Sequence, residues 1–443
     1  MRINLTDNNG QGQSFQRKDV AALFPIADKT IAELCQENEN LLIFPFSIET
    51  SDDRIGNSSI LSIPNTSNPD VVRIKTENVM GFIGVGNLQV KIKSRFDVGR
   101  DDYLLHYMLQ KVLSFNLFDL SHNNEHEDAF DFIMFMFPYF LKSALRQGLY
   151  REYQNYKHND ANLKGSIDVG RHIAKNVPFV GNIAYSTREY SHDNNMTELI
   201  RHTIEFMKTK KYGQSVLNID RETVENVKTI IEHTPMYNKF DRSGIISKNL
   251  RMKTHPYYTE YRPLQTLCLQ ILRMEEVKYG ESDDEICGIL FDGAWLWEEY
   301  VNTILRNLGF NHPQNKLGKG GIYLFDDHSG LRYPDFYKED MVLDAKYKRL
   351  GSYDRVSKVG GDDLHQVIAY LSPLHASRGG FVAPLEQPQT KVPTSHLKGK
   401  DATLSIFGIE ISKTASSYVD FCNQMKAMEA TFVKSLGEQL ITI

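Results

Sequence analysis

The chain has 443 residues, a length that predicts two or three domains rather than one. Its hydrophobic fraction of 41% and charged fraction of 24% are those of a globular protein that buries a substantial core without disulfides or structural metals. A formal charge of −5 argues against a chain that grips nucleic acid by a uniformly basic surface; a basic surface must be local or belong to another subunit. Residues 1–100 read as β-rich. Leu41 to Pro45 is a short apolar run, and Val71–Ile74 and Leu88–Lys93 alternate with the period of half-buried strands. Asp52 to Pro69 is rich in Ser, Asn, Asp and Pro and predicts a loop or insertion.

From Asp101 the pattern turns helical, with Tyr103, Leu104, Leu105, Met108 and Val112 at helical spacing. A second helix is predicted over Asp128–Gln147, ending near Gly148. Residues 160–280 also read as mainly helical. Met196, Leu199, Ile200, Thr203, Ile204 and Met207 form one apolar stripe, which predicts core packing. The acidic run Glu281–Glu285 marks a domain boundary. After it come a helix (Ala294–Leu308), strand-like runs near Ile322, Leu331 and Met341, and a helix at Leu364–Leu371. Strands at Gly380–Ala383 and Thr403–Ile411 follow, then a helix at Tyr418–Leu436. The expected fold is multidomain α/β: a β-rich region (1–100), a mainly helical middle (101–280) and an α/β sandwich (285–443).

The four cysteines, Cys35, Cys268, Cys287 and Cys422, are scattered and form no CxxC pair, against a zinc ribbon or a disulfide framework. The polar start predicts no secretory signal. No apolar run approaches the roughly 18 residues of a membrane span, Phe130–Leu141 included. A soluble, cytoplasmic protein with no membrane partner is expected.

The stretch from Tyr333 to Lys348 carries the chemistry. Two apolar-aromatic runs flank a charged turn. With Glu339 and Asp340 as a two-residue loop, Lys338 pairs with Met341, and the same register sets Asp335 opposite Asp344. Period two places Asp344 and Lys346 on one face. Two carboxylates and an amine then converge, as phosphodiester cleavage requires. Asp335 and Asp344 suit Mg2+, with the Ala345 carbonyl as a further oxygen. The cation neutralises the phosphate and acidifies a water, and Lys346 orients that water or stabilises the developing charge. Without a metal the two carboxylates raise each other's pKa.

Glu298 offers a third carboxylate. It lies one and two turns before Val301 and Leu305, whereas Glu299 shares a side with Asn302, Thr303 and Arg306, so Glu298 is expected to face inward. Gln366 shares a helical face with Tyr370 and suits a hydrogen bond to phosphate or water. Plainer roles compete: a surface ion pair for Asp344 and Lys346, a helix-surface acid for Glu298, and helix packing for Gln366 and Tyr370. The preceding Pro334-Asp335 on the neighbouring strand favours the catalytic set. His122, His126 and His158 lack the ligand spacing of a zinc or HNH nuclease.

Proline-aspartate, a spacer and then D-x-K resemble the PD-(D/E)xK nuclease superfamily. The surroundings resemble McrC, the nuclease subunit of modification-dependent McrBC restriction systems. The likeness includes Val79–Val85 with Leu88–Ile92, Gly148–Tyr153, Leu163–Ile167, Tyr185–Ile200, and the FDGAWLWEEYV, PDFYKEDMVLDAKYK and DLHQVIAYL stretches. By motif, Asp335, Asp344 and Lys346 match the family's catalytic triad, and Glu298 and Gln366 its accessory helix positions. The sequence departs from the family in a longer N-terminal part, with Asp52–Pro69 as the extra piece, and in Ser94, where a basic residue is usual.

The resemblance implies a restriction-endonuclease-like fold for residues 285–443, Mg2+ as cofactor, double-stranded DNA as substrate, and a role in phage defence through 5-methylcytosine-dependent cutting. It implies as partner an McrB-like AAA+ hexamer that hydrolyses GTP, with the N-terminal two thirds, beginning with residues 1–100, docking on that motor and stimulating it. The sequence has no G-x-x-x-x-G-K-[ST] loop, so GTP is expected on the partner and not on this chain. One active centre per chain suits pairing of two nuclease subunits for double-strand cleavage. Two other functions fit the same motifs: the nuclease subunit of a LlaJI-type, sequence-specific system, and a non-cutting regulator of an AAA+ motor.

Overall fold

The computed structural model describes residues 2–38, 41–45, 56–64, 68–85, 88–97, 102–113, 128–210, 213–251, 255–278, 286–313 and 319–441. The chain divides into two compact units, residues 1–120 with 280–443, and residues 121–279. The first unit opens with β1 (Arg2–Thr6), β2 (Gln13–Gln16), α1 (Ile31–Glu37), β3 (Leu41–Phe44), β4 (Leu61–Ser62), β5 (Val71–Thr76), β6 (Val79–Val85), β7 (Leu88–Lys93) and α2 (Tyr103–Leu113). The apolar runs expected as strands are β3, β5 and β7. β5 buries Val72, Ile74 and Thr76 on one face and pairs with β2 and β4. Strand β4 falls inside the stretch expected to be a loop, where buried Ile60 and Leu61 supply the apolar surface that holds it. Residues 51–55 and 65–67 lie outside the described residues.

The second unit contains α3 (Asp128–Arg146), β8 (Glu152–Asp160), β9 (Ser166–Ile167), α4 (Val169–Asn176), β10 (Ile183–Ser191), α5 (Asn195–Lys208), α6 (Gly213–Leu217), α7 (Arg221–Glu232), α8 (Arg242–Asn249) and α9 (Tyr261–Lys278). The predicted stripe of α5 is buried throughout and packs on α6, α7, α8 and α9. Its N-terminus is closed by Asn194, whose side chain accepts from the Met196 and Thr197 backbone N–H groups. Besides the helices, this unit holds an antiparallel sheet in the order β8-β10-β9, with α4 against β10. Strand β8 alternates half-buried and exposed residues, nearly all of them polar, so its period left no apolar signal.

The first unit resumes with β11 (Ile286–Asp292), α10 (Gly293–Leu305), β12 (Ile322–Tyr323), β13 (Leu331–Arg332), β14 (Phe336–Lys338) and β15 (Met341–Ala345). It closes with α11 (Gly361–Leu371), β16 (Arg378–Leu385), β17 (Thr394–His396), β18 (Thr403–Glu410) and α12 (Tyr418–Ile441). Residues 281–285, expected as a boundary, lie outside the described residues. Strand β11 does not start a separate sheet. It inserts between β6 and β3 of the N-terminal sheet, whose order is β1-β7-β6-β11-β3. Gly81, at φ 133°, faces the Ile289 carbonyl so closely that a Cβ would collide with it. β11 thus welds the two sequence-distant segments of this unit.

A second five-stranded sheet runs β14-β15-β16-β18-β17, with β15, β16 and β18 parallel and both edges antiparallel. Val342, Phe381, Ala383, Leu404 and Ile406 form one buried cluster with Val367 and Leu371 of α11. Helix α10 packs on β15, α12 on β18, and α2 on both helices. This is the α/β sandwich expected for the C-terminal region. Among the described residues, no helix is long and apolar enough to cross a membrane.

Candidate active site

Strands β14 and β15 form the predicted hairpin. Lys338 pairs with Met341, Tyr337 with Val342 and Phe336 with Leu343. Glu339 takes the left-handed conformation the turn needs, at φ 49°. Asp340 ties the turn to β16 by accepting from Ser377 Oγ at 2.7 Å and Arg378 Nε at 3.1 Å. The register therefore sets Asp335 across from Asp344, and Asp335 Oδ2 accepts from the Ala345 N–H at 2.7 Å.

Asp344 follows three buried apolar residues and is itself 1% exposed. Its Oδ2 lies 2.8 Å from Lys346 Nζ, so the period-two placement holds. Its Oδ1 is buried without a hydrogen-bond partner among the described residues. Lys346 also donates to Gln366 Oε1 at 3.3 Å, and Gln366 Nε2 reaches the Tyr370 hydroxyl at 3.4 Å. Helix α11 thus delivers Gln366 to the lysine, and Tyr370 stands behind it, its side chain buried in the core.

Two residues that sequence reasoning did not single out join this cluster. Asp363, one turn before Gln366 on α11, lies 3.6 Å from Lys346 Nζ and accepts from Lys348 Nζ at 2.6 Å. The i, i+3 spacing to Gln366 was the available signal. His312 donates from Nδ1 to the Asp335 carbonyl at 2.7 Å and stacks on Phe336. Its Nε2 is 3.6 Å from Glu299 and its Nδ1 3.9 Å from Glu298. No local motif marks His312; only the pairing of Asn311 with Tyr337 brings it alongside β14.

Glu298 and Glu299 are about equally accessible, so exposure does not single out Glu298 as the inward residue. Burial first, and then the Glu299 and Asp344 charges, push the Glu298 carboxyl up to about 7, against the His312 charge. Burial and then Glu298 push Asp335 up to about 7, against Lys346 and the Ala345 N–H. Burial and then Asp335 push Asp344 up to about 8, against Lys346. Burial opposes the charged forms of Lys346 and His312, but the surrounding carboxylates outweigh it and raise both.

Three mutually repelling carboxyls gain most from a cation. Among the described residues, no three His, Cys, Asp or Glu side chains are arranged as a complete metal cage. Asp335, Asp344 and the Ala345 carbonyl are a smaller set, of the kind that leaves Mg2+ most of its waters. The unpartnered Asp344 Oδ1 fits such a cation. Of the three histidines weighed for a zinc site, His122 and His126 lie outside the described residues. His158 belongs to β8, where it meets Thr187 Oγ1 at 2.9 Å and stacks on Tyr185.

The sequence matches the family model for the McrBC 5-methylcytosine restriction system component over residues 74–384. No curated protein matches the sequence. Among solved structures, the chain is similar to one in the refined half-complex from the tetradecameric assembly of Thermococcus gammatolerans McrB AAA+ hexamers with bound McrC. The match covers 97% of this chain and all of that one, at 15% identity and a TM-score of 0.50, and establishes the fold. A chain of the Thermococcus gammatolerans McrBC complex determined by cryo-EM matches over 70% of this chain and 88% of its own length, at 15% identity. Its TM-score of 0.33 carries no weight.

Proposed function

The chain belongs to the McrBC restriction-system family, and from that premise we propose that it is the McrC-type DNA endonuclease subunit, hydrolysing phosphodiester bonds with Mg2+ at Asp335, Asp344 and Lys346. The observation that carries this is the buried Asp344 carboxylate, with one oxygen beside Lys346 and the other unpartnered, on the strand paired with Asp335.

A bound Mg2+ would neutralise the scissile phosphate and lower the pKa of the attacking water. Asp335 and Asp344 would hold it with the Ala345 carbonyl, and Glu298 on α10 would add a further carboxylate to the charge around it. The hydrogen bond from Ala345 fixes one Asp335 oxygen and so orients the carboxylate. Lys346 faces the same point and supplies positive charge where the phosphate becomes more negative. Gln366 restrains the ammonium through its Oε1. Asp363 offers Lys346 a second anionic neighbour when Asp344 is engaged with the cation.

The partner in this proposal is an McrB-like AAA+ GTPase hexamer, and the substrate is double-stranded cytoplasmic DNA. In Thermococcus gammatolerans, McrC is bound to McrB AAA+ hexamers. The sequence carries no G-x-x-x-x-G-K-[ST] motif, and its net charge of −5 suits a subunit to which a motor delivers DNA.

The test is cleavage of methylated and unmethylated plasmid by the full chain with Mg2+, GTP and its AAA+ partner. Cutting of methylated DNA alone, dependent on both proteins and GTP, supports the proposal. Methylation-independent cutting at a fixed sequence favours the LlaJI-type system. Faster GTP hydrolysis without any cutting would make the chain a regulator and end the nuclease assignment.

A further inference from the structure

Arg95, directly after β7, lies far from Lys346 in sequence, yet its buried guanidinium binds three separate elements. Its Nη1 donates to Asp7 Oδ2 at 2.9 Å, just past the end of β1. The same nitrogen donates to Asn78 Oδ1 at 3.1 Å, in the turn between β5 and β6. Its Nη2 donates to the backbone carbonyl of Tyr347, the residue that follows Lys346. The guanidinium also covers the Tyr347 ring, 4.4 Å from its centroid.

Asn78 continues the chain of contacts. Its Nδ2 donates to Asp292 Oδ1 at 3.3 Å, and Asp292 caps α10 by accepting from the Ala294 N–H at 2.9 Å. Helix α10 carries Glu298. The two arms also meet directly: a Cβ on Gly293 would stand 2.9 Å from the Tyr347 ring and 3.3 Å from Asn78 Oδ1. On the other side, the Tyr347 hydroxyl shares a 2.6 Å hydrogen bond with Ser94.

We infer that Arg95 is a positioning residue of the catalytic centre, fixing from the N-terminal sheet both the strand end that presents Asp344 and Lys346 and the helix that presents Glu298. This rests on the nuclease assignment above for its effect on turnover, but not for its effect on the two arms. A buried ion pair is a poor source of net stability compared with apolar packing, so the ion pair alone does not explain the residue. What a guanidinium adds is a rigid planar fork of five donors, used here towards three acceptors on three segments. A lysine keeps the charge beside Asp7 but cannot span the set.

Two variants of the full chain test this. Arg95→Lys preserves the buried charge, and Asn78→Ala cuts the link to the α10 cap without uncovering one. Hydrogen exchange is followed in segments 341–348 and 292–300, and steady-state cleavage is followed with the AAA+ partner, Mg2+ and GTP. The expected result is faster exchange in both segments for Arg95→Lys and in 292–300 for Asn78→Ala. Thermal unfolding stays cooperative, turnover falls about tenfold and KM for DNA is unchanged. Unchanged exchange in both variants overturns the inference. So does wild-type turnover despite faster exchange. If the wild-type chain does not cut DNA, the nuclease assignment fails, and exchange alone decides whether Arg95 positions the two arms.

Discussion

Lys346 Nζ stands 2.8 Å from Asp344 Oδ2, two residues away along one face of the sheet. In the proposed nuclease reaction, an ammonium and a carboxylate this close, with the second carboxylate oxygen unpartnered, would have opposite tasks: the carboxylate would hold the cation and the ammonium would face the developing charge. Asp344→Ala is therefore expected to lower cleavage by at least about 100-fold while preserving the fold and AAA+ partner binding. Plasmid cleavage beside a pull-down of the partner checks both parts. Wild-type cutting by this variant would remove Asp344 from the catalytic set.

Gln366 holds Lys346 at 3.3 Å through its Oε1. A residue acting on the lysine should affect turnover more than substrate binding. Gln366→Ala is expected to reduce kcat by about tenfold with KM for DNA nearly constant. Tyr370→Phe removes only the hydroxyl behind Gln366 and is expected to cost less than about threefold. If Gln366→Ala instead lowers the melting temperature and leaves kcat alone, the glutamine packs the helix and does nothing for the lysine.

Much of this arrangement was legible because it is local. The pairing of Lys338 with Met341 follows from a two-residue turn between alternating strands, and Asp335, Asp344 and Lys346 fall into place by counting. From α10 onwards most of the strand and helix order was legible for the same reason, since its apolar runs are separated by polar turns; the short, largely exposed β17 was not. What escaped depends on pairing across long sequence distances. Residues 286–292, not read as a strand in the sequence, form β11, whose partners are residues 41–44 and 79–85. His312 sits in no motif and reaches Asp335 only through the Asn311 pairing. Strands β8 and β10 lack an apolar alternation because much of both faces is polar or accessible.

Glu429 of α12 gathers three donors from two other helices. Its Oε1 accepts from Tyr107 at 2.7 Å and Tyr300 at 2.9 Å, and its Oε2 accepts from Lys111 at 2.8 Å. Removing it strands two buried hydroxyls. Glu429→Ala is expected to destabilise the first unit by about 2–4 kcal/mol. Glu429→Gln, which keeps an acceptor, is expected to cost roughly half as much. Denaturant unfolding of the two variants gives the comparison, and equal costs would mean that packing volume, not the acceptor, matters there.

His202 provides the pH dependence. It is buried on α5, its Nδ1 has no partner among the described residues, and its ring lies 4.7 Å from Tyr237. Burial first, and then the Arg242 charge, push it down to about 4, with Asp241 opposing. The folded chain therefore holds a neutral ring where the unfolded chain, near 6.5, takes up a proton. The resulting stability is complete above pH 6.5 and is lost as pH falls from 6.5 towards 4, by up to about 3 kcal/mol. Glu198 on the same helix works in the opposite sense, because burial pushes it up to about 7 and its share is lost as pH rises through that value. The informative quantity is thus the difference between wild type and His202→Gln, which cannot take up the proton. Hydrogen exchange of α5 between pH 7 and 4 is expected to accelerate with acid more steeply in the wild type than in the variant, once corrected for intrinsic exchange. Parallel pH profiles would mean that His202 is protonated or solvated in the folded state, and that acid acts on this unit elsewhere.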